Sequence, residues 1–111
     1  MDLRKIKDLV PQPTVDLKQL ANHFEGKLVK ETMEKDQYGT DCLYWEIMVN
    51  GLQFRQKYAP THMGKLAEAL ELLGISDTSA VIGKTMGFEK DTNQSRNVKE
   101  FPRWYPVAIL D

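Results

Sequence analysis

The dipeptide Asn50-Gly51 constrains this chain more than any other pair of neighbours in it. It separates two alternating runs, Cys42 to Val49 and Leu52 to Tyr58, and Asn-Gly readily takes positive φ at both central positions of a type I′ hairpin turn. A two-residue turn fixes the register. The spacing therefore predicts Val49 opposite Leu52, Ile47 opposite Phe54, Trp45 opposite Gln56 and Leu43 opposite Tyr58 on one nearly apolar face. The other face pairs Met48 with Gln53, Glu46 with Arg55 and Tyr44 with Lys57. That second face, with an aromatic ring, a cross-strand ion pair and a lysine, suits either a solvated surface or a recognition surface.

A chain of 111 residues, 41% hydrophobic and 28% charged, is large enough to bury one core without disulfides or metal. The formal net charge of −1 supplies no global field for nucleic acid, so any basic surface has to be local. A single cysteine, Cys42, excludes an intrachain disulfide and a multi-cysteine zinc cluster, and it reads as a buried thiol. His23 and His62 have no second ligand at helical spacing. The first residues, Met-Asp-Leu-Arg-Lys-Ile-Lys, intersperse charges where a secretory signal needs an apolar run, and no run is long enough to span a membrane. A cytoplasmic location is expected. No phosphate-binding glycine loop or nucleophile elbow is present, so the expectation is a protein without catalysis, cofactor or metal.

The remaining segments follow in order. Leu3, Ile6, Leu9 and Val10 have helical spacing, ended by Pro11. Val15, Leu17, Leu20, Ala21 and Phe24 repeat that spacing, with Gly26 as the stop, so residues 1–26 are expected to form an N-terminal helical extension to a main domain of residues 27–111. Lys27 to Glu34 reads as a strand, and the polar stretch around Gly39 as a loop into the hairpin. Thr61 to Gly74 is the clearest helix, with Met63, Leu66, Ala67, Leu70 and Leu73 as its apolar stripe, Thr61 as N-cap and Gly74 beyond its end. Ser76 to Gly83 predicts one further helical turn capped by Ser76 or Asp77. Lys84 to Lys90 predicts a strand, Asp91 to Glu100 a polar loop, and Phe101 to Leu110 a last strand in which Pro106 belongs at a bulge, a strand start or an edge.

Three strands, a helix and two more strands is the element order of the five-stranded Greek-key barrel, the OB-fold. The hairpin followed by a helix ending Glu71-Leu-Leu-Gly-Ile75, the stretch Val81-Ile-Gly-Lys84 opening a strand, the polar loop after it and Tyr105-Pro106 opening the last strand together resemble the phage and prophage single-stranded-DNA-binding-like OB proteins. The resemblance covers residues 27–110. It implies a cytoplasmic barrel that binds single-stranded DNA in replication or recombination and has no catalytic centre.

An OB barrel recognises nucleic acid on the outer face of its second and third strands and on the loops beside them. On this chain that surface carries Tyr44, Arg55 and Lys57 on the hairpin, Lys35 and Tyr38 on the first loop, and Arg96 and Lys99 on the loop before the last strand. Rings stack bases while cations follow phosphates. Trp104 and Tyr105, preceded by Arg103, form a second aromatic and basic cluster, and alternation buries one of these two rings and leaves the other at the rim. Glu46 in mid-face and Glu31, Glu34, Asp36 and Asp41 nearby in sequence oppose phosphate binding. They favour the competing reading, a protein-interaction module or homo-oligomer that uses Trp104, Tyr105 and the N-terminal helices as its contact.

Overall fold

The computed structural model describes residues 22–91 and 103–111. They build a mainly β structure in which β1 (His23–Lys35), β2 (Asp41–Val49), β3 (Leu52–Tyr58), β4 (Thr85–Lys90) and β5 (Trp104–Ile109) form one antiparallel sheet in the order β3-β2-β1-β4-β5. A helix, α1 (Pro60–Leu72), and a 3₁₀ turn (Thr78–Val81) connect β3 to β4. The N-terminal extension as far as residue 21, and the loop positions Arg96 and Lys99, lie outside the described residues.

Asn50 and Gly51 both take positive φ, 52° and 80°, and the β2–β3 ladder has every pairing that the two-residue turn predicts. β1 differs more from expectation. Phe24 and Gly26, expected at the end of a helix, lie in β1 opposite Phe88 and Met86 of β4. Tertiary packing outweighs the local helical spacing here, because Phe24 reaches Phe54, Phe88 and Trp104 with ring centroids 5.5, 5.2 and 5.9 Å away. The ladder to β2 then slips between Leu28 and Lys30, so Val29 is the extra residue of a β-bulge. The bulge reverses the alternation: Phe24 and Leu28 point into the core before it, while Lys30, Thr32 and Glu34 face outward after it.

α1 opens at Pro60 with Ala59 as N-cap and no side-chain cap. Thr61 is therefore not the N-cap. Proline fits the first helical position because no hydrogen bond needs its missing N–H there. The helix ends as the sequence predicts: Gly74, at φ 79°, donates to the Glu71 carbonyl and Ile75 to that of Leu70, a Schellman closure. Leu66 and Leu70 are its buried residues. Asp77 caps the 3₁₀ turn by accepting from the Ser79 amide at 2.9 Å.

β5 buries Trp104, Tyr105 and Pro106 in succession, which overturns the expectation that one ring of the pair stands at the rim. Both sides of this strand are covered. Trp104 packs on Phe24 and Phe54, while Tyr105 lies against Tyr58 and under the ammonium of Lys65 from α1. The ladder to β4 shifts beside Pro106, at one of the positions expected for a strand proline.

Side chains join the two outermost strands of the sheet. Buried Gln56 on β3 accepts the Trp104 N–H at 3.1 Å, and fully buried Tyr58 donates its hydroxyl to the Trp104 carbonyl at 2.6 Å. Arg103 adds a bond from Nε to the Lys57 carbonyl at 3.3 Å.

Candidate functional site

Residues opposite one another in an antiparallel ladder share a face, so the register places three rows on the outer surface of β1, β2 and β3. One row holds Thr32, Tyr44 and Lys57, the next Lys30, Glu46 and Arg55, and the third Lys27, Met48 and Gln53. All of them keep some exposure to solvent. Glu34 continues the face at the end of β1, opposite Cys42.

Tyr44, Arg55 and Lys57 are thus brought together as the hairpin predicts. Their partners are not the expected ones. Arg55, directly across from Glu46, forms its ion pair with Glu34 instead, Nη2 to Oε2 at 2.7 Å. Its guanidinium carbon also sits over the Tyr44 ring, 3.9 Å from its centre, a cation–π contact that holds ring and cation together. Lys57, rather than simply neighbouring Tyr44, holds the Asp36 carboxylate at 2.9 Å.

Asp36 organises the β1–β2 loop. Its Oδ1 accepts from the Tyr38 and Thr40 amides at 2.9 and 3.0 Å, and its side chain is 9% exposed. The Lys57 bond, then the Thr40 amide, hold its carboxyl at a pKa of about 2, and the same bond raises Lys57. Tyr38 stands at the loop tip with 80% exposure. Lys35, at the base of the loop, pairs with Asp41 at 3.1 Å, both side chains largely in solvent.

Sequence reasoning missed Lys27 and Lys30. Both are exposed on β1, both belong to the outer rows, and among the described residues neither has an ion-pair partner. Their position depends on the β1–β2 register and the Val29 bulge, for which this sequence carries no local signal. Glu31 is turned away from the face by the same bulge, and accepts the Trp45 indole N–H at 2.7 Å and the Thr78 hydroxyl at 2.8 Å.

Trp104 is fully buried and is not a surface ring for a base or a protein partner. Cys42 is a buried thiol, as expected, raised in pKa chiefly by desolvation. Among the described residues, no group of His, Cys, Asp or Glu is arranged to hold a metal ion, and no helix is long and apolar enough to cross a membrane. What the outer face offers chemically is a ring for π-stacking and cations for anionic groups. No protein-family model matches the chain, and no curated protein is significantly similar to it.

Proposed function

We propose that the sheet is an OB-type barrel and that its outer β1–β2–β3 face binds single-stranded nucleic acid, DNA in the first instance, without catalysis and with little sequence preference. The strand order, the shared role of β1 and the side-chain seam between β3 and β5 support the barrel. The observation that carries the binding reading is the Tyr44 ring, braced by Arg55 at 3.9 Å on a face that Lys27 and Lys30 border. A braced ring loses little freedom when a base stacks on it, and two cations without carboxylate partners among the described residues suit phosphates spaced along a strand.

Fluorescence anisotropy with a labelled oligothymidine at low salt tests the reading. Micromolar or tighter binding is expected, and Tyr44→Ala weakens it by about 1–3 kcal/mol, the usual cost of losing one stacked base. Absence of binding at micromolar protein and low salt would end it. The competing reading, a protein-interaction module, loses the two rings of its contact, since Trp104 and Tyr105 are both buried, while the N-terminal helices it also uses lie outside the described residues.

A further inference from the structure

We infer that Glu34 is a displaceable counter-ion, occupying on Arg55 the position that a phosphodiester of the bound strand takes, whereas the Asp36–Lys57 pair is fixed and belongs to the framework of the loop. This rests on the proposed function and assigns different roles to the carboxylates beside the binding face.

The two pairs differ in what else holds them. Asp36 is almost enclosed and accepts two backbone amides as well as the Lys57 ammonium. Its other oxygen is tied into the turn between β1 and β2, so the carboxylate cannot swing away from Lys57 without giving up those two amide bonds. The Glu34 side chain is 52% exposed, and Arg55 is its carboxylate's one hydrogen-bond partner among the described residues. Such exposed pairs are weak and easily exchanged.

Arg55 does not depend on Glu34 for its position. The guanidinium carbon lies over the Tyr44 ring, 3.9 Å from its centre, and with the carboxylate gone the Nη2 that Glu34 now occupies is available. A phosphate accepts from the guanidinium fork as a carboxylate does. A base stacked on Tyr44 would bring its own phosphate near that fork, where Glu34 now sits. Lys27 and Lys30, further along the same face and without an ion-pair partner among the described residues, hold neighbouring phosphates. Glu34 therefore weakens the face for nucleic acid and keeps Arg55 neutralised until a strand arrives.

The test compares wild type, Glu34→Gln, Asp36→Asn and the double variant Glu34→Gln/Arg55→Gln by oligothymidine anisotropy across a salt series, with a thermal melt of each. Glu34→Gln is expected to bind roughly 3–10-fold tighter at low salt. Its plot of log affinity against log salt should keep nearly the wild-type slope, because the Arg55–phosphate contact forms in both proteins and only the cost of displacing Glu34 is gone. The double variant loses that gain. Asp36→Asn melts lower and shows no gain. Equal affinity for wild type and Glu34→Gln at low salt, or a slope steeper by about 0.7 in Glu34→Gln, which would mean that wild-type Arg55 gains no phosphate, would overturn the inference while leaving the binding reading intact. So would an equal gain from Asp36→Asn, because removing any negative charge would then suffice. If none of the proteins binds, the nucleic-acid reading falls and the inference with it.

Discussion

Asp36 accepts from the Tyr38 and Thr40 amides through one oxygen and from the Lys57 ammonium through the other. These bonds favour its charged form, so its pKa lies near 2 when folded against an ordinary 3.8. The sign follows from linkage: a lowered pKa gives stability that is fully present above the unfolded value and is lost as pH falls through the folded one. Thermal melts by circular dichroism should fall between about pH 4 and pH 2 for wild type, and Asp36→Asn should melt lower at neutral pH with a shallower acid limb. Asp77, lowered by bonds from the Ser79 amide and hydroxyl, contributes in the same direction, so the limb flattens only in part. An unchanged acid limb in Asp36→Asn would show that the carboxylate is not held as described. The contrast between Asp36 and Glu34 also marks what was legible in the sequence. The turn alone brought Tyr44, Arg55 and Lys57 to one face, but both acidic partners lie 21 residues away in the chain, beyond any local pattern.

β1 is the element where local spacing and tertiary packing disagree. The hairpin could be read because Asn50-Gly51 fixes both turn and register, and α1 because its apolar stripe and terminal glycine agree. In β1 the alternation runs from His23, exposed, through Phe24, buried, to Leu28, and then breaks at Val29. A sequence that switches parity in mid-strand shows neither a clean helix nor a clean strand, which is why Gly26 reads as a helix stop. Its actual requirement is steric. A Cβ at Gly26 would lie 2.6 Å from Cγ2 of Ile47 and 3.2 Å from atoms of Phe24 and Val49, and Ile47 is fully buried. Gly26→Ala should therefore destabilise the fold by about 1–3 kcal/mol, the range for overpacking a filled core, even though alanine is a smaller entropic liability than glycine. Urea denaturation monitored through the buried Trp45 and Trp104 measures it directly. A variant as stable as wild type would mean that Ile47 can move aside.

At the scale of the whole molecule, a net charge of −1 leaves no long-range attraction for a polyanion. Binding has to come from where the sheet places its cations rather than from their number. Lys57 is committed to Asp36, Lys35 to Asp41 and Lys65 to Asp91, while Lys27 and Lys30 stand on the outer face without such partners among the described residues. If these two lysines make the first phosphate contacts, each contributes about 0.7 to the slope of log affinity against log salt for a single strand. Lys27→Gln/Lys30→Gln should then flatten the oligothymidine slope by about 1.4, with little change in melting temperature because both side chains are exposed and neither has an ion-pair partner among the described residues. Tyr44→Ala should instead weaken binding at every salt concentration while flattening the slope by no more than about 0.7, the share of the single phosphate contact that Arg55 makes beside the ring, since stacking itself releases no counterions. The two variants thus separate the electrostatic from the stacking contribution on one surface. A double-lysine variant with an unchanged slope would place the phosphate contacts elsewhere on the protein, and β1 would then be framework rather than part of the binding face.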